Sequence, residues 1–335
     1  MAIFRSLRAI ALAASLTLSA TTAAEAATTW DYYTYTGVTH VLTKMQKAFA
    51  EDVAKRTNGE LKIVVRPAGE LPYRIDEAGR IAGEGTVQMS SAFMGFLAGT
   101  IPISGITGHS FLVRSYDELG KVYPIIERHM QPEFEKLGVK LLFYFAWGSQ
   151  NVFGINKPII TAADFAGRKL RINDPKQGEL IKVLGGSSIT LATAEVSVAM
   201  QRGLMDGMFS ATAGMVAAKW VEMVKWAWIA DVNIGGPNWE LVNVKAYNAL
   251  SPAVRKALDE AAAEWGPRMI KEMQALEIKD REDLKTKYNV DVHKATPEVI
   301  DELTKRMVPV WEAWANQTGP KAQEMLKEIR ATLGR

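Results

Sequence analysis

The sequence predicts an α/β protein of two domains, and three observations lead to this interpretation. Segments with the apolar pattern of strands alternate along the chain with segments of helical period, which is typical of βαβ units around a mainly parallel sheet. A length of 335 residues exceeds what one hydrophobic core comfortably organises. No repeat or low-complexity linker divides the sequence, so we expect the chain to cross between the domains several times.

The first 26 residues have the composition of a secretory signal peptide. Arg5 and Arg8 form a basic region, residues 10–18 form a short apolar core, and residues 24–26 read A-E-A, which is a cleavage pattern. The apolar run is too short to span a bilayer. We therefore expect cleavage after Ala26 and release into the periplasm. A disordered or membrane-anchored N-terminus is the alternative.

Strands are expected where apolar and polar residues alternate, or where a short apolar run is covered on both faces. These patterns predict strands at residues 30–35, 61–65, 87–93, 139–147, 152–156, 169–172, 189–191, 205–210 and 223–232. Glycine and polar residues at 148–151 are expected to break the chain between two of these strands. The Gly-, Ile- and Pro-rich residues 93–108 predict a loop at the edge of a cleft.

Helices are expected where apolar residues recur every three or four positions between capping signals. These signals predict helices at residues 42–58, 75–82, 117–137, 178–184, 193–202, 252–287 and from 296 onward. Pro124 and Pro132 predict a kink or a split in the third of these, and Pro267 predicts a kink in the sixth. A helix of about 35 residues is ~50 Å long, so the sixth should lie across both domains.

Arg171 is the ligand-binding candidate that the local pattern singles out. With a period of two, Leu170 and Ile172 share one face of a short strand, and Lys169 and Arg171 share the other. Pro175 ends the strand because it cannot donate a ladder hydrogen bond. Arg171 therefore lies at the carboxyl end, where open α/β sheets bind ligands, and its guanidinium offers two parallel N–H groups to a carboxylate. A surface arginine paired with Asp or Glu is the alternative.

Motifs of catalysis and metal binding are absent from the sequence. No phosphate-binding loop, dinucleotide fingerprint or nucleophile elbow occurs. The histidines are far apart, without a second ligand at metal spacing: His40, His109, His129 and His293. Either His40 or His109 could still reach a cleft. We therefore predict no enzymatic activity, no catalytic residue, no metal and no cofactor.

Composition excludes further classes of protein. The chain has no cysteine, which excludes disulfides, thiolate metal sites and a lipid-anchored start. Its formal charge of +3 falls to +2 when the two arginines and one glutamate of residues 1–26 are removed. A formal charge this close to zero lacks the excess of basic residues that is typical of nucleic-acid-binding proteins. No stretch after residue 26 is apolar enough to span a membrane.

Three sequence blocks occur in the order and spacing of a known family. Residues 49–59, FAEDVAKRTNG, are similar to a family helix end F-A-E-x-V-x-x-x-T-x-G. Residues 156–159 with 163–171 are similar to K-P-I…D-x-x-G-x-K-x-R, and residues 195–207 are similar to E-V-x-x-A-L-Q-x-G-x-x-D-G. The chain thus resembles the substrate-binding proteins of tripartite ATP-independent periplasmic (TRAP) transporters over nearly its whole mature length.

The resemblance implies a type II-like periplasmic-binding-protein fold. Two α/β domains should enclose a ligand cleft, joined by crossing strands and by the long kinked helix. We assign residues 27–149 and about 237–276 to domain I, and residues 150–236 and about 277–335 to domain II. The resemblance also implies that Arg171 pairs with the carboxylate of a small-molecule ligand.

Seven further residues are candidates for the ligand-binding cleft. Position 150 is a place where family members that bind keto acids have glutamine. Trp147 ends an apolar strand, where its ring could stack on a ligand; packing in the core is the alternative for it and for two phenylalanines. Trp239 follows a predicted hinge crossing and either contacts ligand or braces the hinge. The seven are Gln150, Asn151, Trp147, Phe209, Ser210, Phe93 and Trp239.

Departures from the family pattern bear on the ligand. Residues 208–210 are Met-Phe-Ser where the family commonly has an amide, and residues 148–153 contain no arginine. These differences favour a small or apolar carboxylate, such as a keto acid, a small dicarboxylate or an aromatic acid. We expect a monomer that delivers this acid to TRAP membrane permease subunits and has no nucleic-acid partner. A sensory protein that presents the acid to a receptor is the alternative.

Overall fold

A mixed sheet of nine strands runs through the part of the chain that the structure describes. The computed structural model describes residues 27–335; the predicted signal peptide and its cleavage site lie outside this range. The strands are β1 (Thr28–Tyr33), β2 (Leu61–Arg66), β3 (Met89–Phe93), β4 (Val139–Gly154), β5 (Lys169–Ile172), β6 (Ser187–Thr190), β7 (Gly207–Ser210), β8 (Trp226–Asn243) and β9 (Asp291–Lys294).

Helices pack against this sheet. They are α1 (Val41–Arg56), α2 (Ala78–Gly83), α3 (Met94–Leu97), α4 (Tyr116–Leu137), α5 (Pro175–Val183), α6 (Thr193–Gln201), α7 (Thr212–Ala217), α8 (Val244–Ala249), α9 (Pro252–Thr286), α10 (Pro297–Thr318) and α11 (Pro320–Leu333). Short 3₁₀ helices occupy Ile75–Glu77, Pro102–Gly108, Ala162–Phe165 and Trp220–Glu222. Between residues 27 and 335, no helix is both long and apolar enough to cross a membrane.

The sheet has two parallel outer parts joined by an antiparallel centre. Its order is β2-β1-β3-β8-β4-β7-β5-β6, with β9 beside β8. Strand β1 pairs in parallel with β2 and β3, and these three strands are the first outer part. Strand β5 pairs in parallel with β6 and β7, and these three strands are the second outer part. The long strands β4 and β8 pair antiparallel with each other and belong to both parts. The prediction of a mainly parallel sheet therefore holds in each outer part and is wrong at the centre.

Strand β4 is continuous where the sequence predicted a break. Residues 148–151 stay in the strand, and the pairing with β8 shifts register around Trp147, Ser149 and Gln150 instead. A β-bulge of this kind absorbs glycine and polar residues by bending the strand rather than ending it. Strand β8 is likewise longer than predicted, because it continues through the expected hinge crossing to Asn243.

Two other expectations about local structure are wrong. The predicted loop at residues 93–108 contains α3 and a 3₁₀ helix. Pro124 and Pro132 both lie inside the single helix α4, which begins at the Ser115 cap and ends at Gly138 in the left-handed region, so the predicted split is wrong and the kink stays a prediction. The 22-residue helix keeps a buried apolar face, and this packing offsets the two lost backbone hydrogen bonds.

The 35-residue helix α9 reaches both parts of the sheet, as predicted. Near its middle, Trp265 donates its indole N–H to Asp52 of α1 at 2.8 Å. Farther along, the Glu277 carboxylate accepts the backbone N–H groups of Thr212 and Ala213, which open α7, at 3.2 and 2.9 Å. The helix therefore ties an element that follows β1 to an element that follows β7.

The last two helices pack against elements of the first outer part. The Trp311 indole N–H donates to the carbonyl of Ser110 at 3.1 Å, and Lys321 of α11 lies 2.7 Å from Glu133 of α4. The sequence assigned residues 277–335 to domain II. The domain bounds stay a prediction. These contacts join residues 277–335 to residues that the sequence assigned to domain I.

Gly154→Ala should destabilise the protein because no space exists for a methyl group at the end of β4. A Cβ there would lie 2.2 Å from the buried Trp226 ring and 2.8 Å from the Asp206 carbonyl oxygen. We expect a loss of about 1–3 kcal/mol in the free energy of unfolding, measured by urea denaturation.

Gly120→Ala is the matched control. Nothing lies within 4 Å of a Cβ at this exposed position inside α4, so alanine should stabilise the helix by up to ~1 kcal/mol. Equal unfolding free energies for wild type and Gly154→Ala would contradict the packing described at the end of β4.

Candidate functional site

A cavity lies where the carboxyl ends of the parallel strands from both outer parts meet. Tyr35 follows β1 and Phe93 ends β3, while Ser210 ends β7 and Arg171 lies on β5; all four line the cavity. This is the edge at which open α/β sheets bind ligands. The volume that the centre of a water molecule can occupy inside the cavity is about 60 Å³. One water needs roughly 10–15 Å³ on that measure, so the cavity suits a small molecule.

Arg171 is buried in the wall of this cavity, with 2% of its surface exposed. Its Nε and Nη2 both donate to the carbonyl of Leu191, at 3.0 and 2.8 Å, and its Nη1 donates to the carbonyl of Phe209 at 3.0 Å. Within residues 27–335 it has no ion-pair partner. The alternative of a surface arginine paired with an acid is therefore wrong.

The neighbouring strands explain how the Arg171 side chain is held. Arg171 pairs with Ile189 of β6 on one side and with Met208 of β7 on the other. Leu191 lies just beyond β6, and Phe209 lies within β7, so the two accepting carbonyls come from the strands that flank β5. The side chain is thereby fixed from both sides before any ligand arrives.

Two N–H groups of Arg171 remain without a partner among the described residues. A guanidinium has five N–H donors, and three are used: one on Nε, one on Nη1 and one on Nη2. One N–H is therefore left on each terminal nitrogen, and these two donors match the two oxygens of a carboxylate in number. The ring of Trp220 lies 5.4 Å from the guanidinium carbon and adds a cation–π contact.

Burial lowers the pKa of Arg171 to about 9, and the nearby Glu195 carboxylate only partly opposes this. The side chain still carries its charge at neutral pH. A buried cation without an anion is costly. The electrostatics of the cavity therefore favour an anionic ligand.

A row of amides lies beside Arg171. Asn173 donates from its side chain to Gln150 Oε1 at 3.1 Å, and its backbone N–H donates to Gln177 Oε1 at 3.2 Å. The Asn173 Oδ1 atom has no hydrogen-bond partner in the described chain. These contacts orient the Gln150 and Asn173 amides at the cavity wall.

The opposite wall comes from the first outer part and from β4. The Trp147 indole N–H donates to the Tyr35 hydroxyl at 3.1 Å, and that hydroxyl donates to Asn238 Oδ1 at 2.7 Å. Asn238 in turn donates to Ser91 and to the buried Glu240 carboxyl group. Burial raises the pKa of Glu240 to about 8. The polar atoms of Trp147 and Tyr35 are thus satisfied by protein groups, and their ring surfaces line the cavity.

His40 also lines this wall. Its Nδ1 accepts the backbone N–H of Leu42 at 3.2 Å and so caps the start of α1. Its ring meets the Trp147 ring edge-on at 5.6 Å between centroids. Burial lowers the pKa of His40 to about 4, so the imidazole is neutral at neutral pH.

Comparison with known proteins identifies the family. The family model described as bacterial extracellular solute-binding protein, family 7, matches residues 33–318, which is most of the chain. The chain belongs to this family. Its members are the substrate-binding proteins of TRAP transporters, as the three sequence blocks indicated.

Two curated relatives are similar in sequence. One is the 2,3-diketo-L-gulonate-binding periplasmic protein YiaO of Escherichia coli K12, 27% identical over 66% of this chain and 67% of that protein. The other is the C4-dicarboxylate-binding periplasmic protein DctP of Rhodobacter capsulatus, 26% identical over 84% of this chain and 85% of that protein.

A solved structure agrees with the fold of this family 7 protein. DctP6 of Bordetella pertussis, an extracytoplasmic solute receptor binding pyroglutamic acid, superposes with a TM-score of 0.84 and is 26% identical. The match covers 91% of this chain and 100% of DctP6. The predicted two-domain periplasmic-binding-protein architecture is therefore confirmed.

The cavity of this solute-binding protein contains five of the predicted site residues. It is lined by Arg171, Gln150, Trp147, Ser210 and Phe93. The role of each in binding a ligand stays a prediction.

Three predicted site residues lie elsewhere. The Asn151 side chain accepts the backbone N–H groups of Ala230 and Asp231, both at 2.8 Å, so it holds a bend in β8. Phe209 contributes its carbonyl to Arg171, while its ring is fully buried. Trp239 packs edge-on against Phe134 of α4. Adjacent strand residues face opposite sides of the sheet, and the sequence alone did not settle which side met the cleft.

Tyr35, Asn173 and Trp220 are among the lining residues that the sequence analysis missed. Asn173 carried a usable signal, because it lies two positions after Arg171 and so on the same face of an extended chain. Tyr35 is the last residue of the first predicted strand, at the carboxyl end of that strand. Trp220 lies in a 3₁₀ helix after α7, and no local pattern predicted that this turn folds back over Arg171.

His109, the other histidine candidate, lies outside the cavity. It is fully buried and meets the Trp314 ring edge-on at 4.5 Å between centroids. Metal binding finds no support in the described range, since no group of three His, Asp or Glu residues there could hold a metal ion.

Asp174 joins the Arg171 strand to the first outer part. Its Oδ1 caps α5 by accepting the Lys176 backbone N–H at 2.9 Å. Its Oδ2 is buried without a hydrogen-bond partner among residues 27–335. A Cβ at Gly108 would lie 1.9 Å from that oxygen, so the glycine is what admits the carboxyl group. Burial raises the pKa of Asp174 to about 7.

Asp174→Asn should remove a pH dependence of stability. The folded-state pKa lies above the ordinary value of 3.8, so the folded protein holds this proton more tightly than the unfolded chain does. Wild-type stability should therefore fall as pH rises from about 4 to about 7, by roughly 4 kcal/mol at most. Asparagine keeps the cap and stays neutral. The free energy of unfolding of the variant, measured with urea, should therefore rise relative to that of wild type across that interval.

Asp164→Asn is the control for the sign of this effect. Asp164 also caps a helix, but the N–H and hydroxyl of Thr161 lower its pKa. Its charged form is therefore the stabilising one, and its replacement should cost stability above pH 4. A constant difference between wild type and Asp174→Asn from pH 4 to pH 8 would contradict the buried, protonated Asp174.

Proposed function

We propose that this protein captures a small organic acid in the periplasm and delivers it to TRAP membrane permease subunits. The single observation that carries the proposal is the buried Arg171, with one free N–H on each terminal nitrogen and no ion-pair partner in the described chain. A carboxylate supplies both the missing charge and the two missing acceptors. No chemical change in the ligand is part of this function.

The relatives support an acid as the ligand. The names of the two curated relatives and of the solved receptor specify 2,3-diketo-L-gulonate, C4-dicarboxylates and pyroglutamic acid. These molecules differ in size and in the number of hydroxyl groups, but each carries a carboxylate. The shared group is the one that Arg171 is arranged to bind, while the rest of the cavity selects among acids.

Closure of two domains over the ligand is the second part of the proposal. Residues 27–149 with about 237–276 form one domain, and residues 150–236 with about 277–335 form the other. Strands β4 and β8 and helix α9 cross between them and bend as the cleft closes. Closure removes water from around Arg171, and the electrostatic attraction to a carboxylate strengthens as the local dielectric falls.

The closed form is what the permease recognises. In this proposal the protein acts as an exported monomer whose signal peptide is cleaved after Ala26. The alternative partner is a sensory receptor, to which the protein would present the acid from the same site. Loss of acid uptake when the chain is deleted is the outcome that favours the permease as partner.

Replacement of Arg171 tests the carboxylate clamp. A thermal-shift screen of organic acids finds a ligand first, because an acid at 100 times its Kd stabilises the protein by ~2.7 kcal/mol. Arg171→Ala should then cost about 3–5 kcal/mol of binding free energy, since the carboxylate is buried without its partner. That loss is roughly 10²- to 10³·⁵-fold in Kd. Arg171→Lys should recover only part of it, because an ammonium cannot bind two oxygens in parallel.

Arg168→Ala is the control for removing a positive charge near the site. Arg168 is partly exposed and donates to the Lys157 carbonyl, so its loss should cost under ~1 kcal/mol. Calorimetry on each variant, after circular dichroism has shown it to be folded, gives the Kd values. Equal affinities for wild type and Arg171→Ala would remove the basis of the proposed function.

A further inference from the structure

We propose that His40 is a second ligand-binding residue, which selects carboxylates that carry a neutral hydrogen-bond acceptor at the end remote from the carboxylate. A ring carbonyl, a ketone or an ether oxygen is such an acceptor. The inference rests on the proposed function, because Arg171 must hold the other end of the acid. It deepens that function by naming the chemical class of the ligand.

The His40 ring is fixed in place before a ligand binds. The His40 residue is 8% exposed, its Nδ1 is held by the Leu42 N–H at the start of α1, and its ring lies nearly perpendicular to the Trp147 ring. The capping bond sets which ring nitrogen faces the helix, and the tryptophan sets the plane of the ring. The other nitrogen, Nε2, has no hydrogen-bond partner within the described chain.

The capping bond also determines which nitrogen carries the proton. Nδ1 accepts a hydrogen bond, so in the neutral imidazole the proton is on Nε2. Burial lowers the pKa of His40 to about 4, which keeps the ring neutral at ordinary periplasmic pH. His40, which lines the cavity, therefore carries a neutral N–H donor whose direction is fixed.

Other polar groups on this wall are already paired with protein. The Trp147 N–H donates to Tyr35, and the Tyr35 hydroxyl donates to Asn238. The Thr36 hydroxyl lies 2.7 Å from the Thr43 hydroxyl. Among the lining side chains that come from the part of the chain before β4, His40 is therefore the one with an unused donor.

The charge distribution favours a neutral acceptor over a second carboxylate. Arg171 is the one lysine or arginine among the described residues that line the cavity. The second carboxylate of a dicarboxylic acid would meet a neutral N–H at His40 and would lack a cation. A buried anion without a cation is costly, whereas a carbonyl oxygen needs only the N–H donor.

Two ring acids that differ by one oxo group test the inference. 3-Oxocyclopentanecarboxylate has a carboxylate and a ketone, and cyclopentanecarboxylate has the same ring without the acceptor. When the ketone is absent, the buried His40 N–H stays unpaired. Calorimetry at pH 7 should show that wild type prefers the oxo acid by about 10-fold or more.

Variants at position 40 assign the preference to the histidine. Serine and asparagine both cap helices well but are too short to place an N–H where Nε2 lies. His40→Ser should therefore reduce the ratio of the two Kd values to within about 3-fold, and His40→Asn repeats the test if the serine variant does not fold. His40→Gln, which restores a side-chain N–H of longer reach, should recover part of the preference.

The outcomes separate this inference from the proposed function. Arg171→Lys should weaken both ring acids and leave the ratio of their Kd values near that of wild type. An oxo preference that survives in both His40→Ser and His40→Asn, or its absence in wild type, would overturn the role of His40 while the arginine clamp stands. Binding of both acids to Arg171→Ala as tightly as to wild type would instead overturn the proposed function.

Discussion

A buried guanidinium without an ion-pair partner in the described chain is the constraint on which the rest of the cavity depends. Arg171 is 2% exposed, and its protein partners are the two neutral carbonyls of Leu191 and Phe209. Carbonyl dipoles hold the side chain without neutralising it. Strands β6 and β7 must therefore flank β5 in register, so that their carbonyls meet the guanidinium and leave its terminal N–H groups to the cavity. In the proposed function, the site is organised for an anion before the anion binds, which reduces the cost of ordering it.

The central strands and the long helix connect this charge to the rest of the molecule. Glu277 of α9 holds the start of α7 and also pairs with Arg281 at 2.8 Å. Helix α7 carries Gly214, which lines the cavity. A Cβ at Gly148 in β4 would lie 2.4 Å from the Glu277 carboxyl carbon, so this glycine lets α9 approach the strand. Helix α9 thus contacts both the strand and the short helix that border the cavity.

The sequence predicted the parts of the site that depend on local pattern and failed where long-range packing decides. The two-residue period and Pro175 predicted a short strand with Arg171 near its carboxyl end, and β5 confirms that placement. The polar residues 148–151 resembled a break, but pairing with β8 keeps them in one bulged strand, and a single sequence does not show its partner strand. The same lack of partner information misplaced Asn151 and Trp239. Trp220 reaches Arg171 only through the fold of the turn that follows α7.

A crystal structure of the protein with a bound carboxylate tests the central claim most directly. The ligand is the acid that stabilises wild type most strongly against thermal unfolding. The account predicts that its two carboxylate oxygens lie about 2.7–2.9 Å from Nη1 and Nη2 of Arg171, while the Leu191 and Phe209 carbonyls keep their contacts. An acid that binds with its carboxylate away from Arg171, or outside the cavity, would contradict the account.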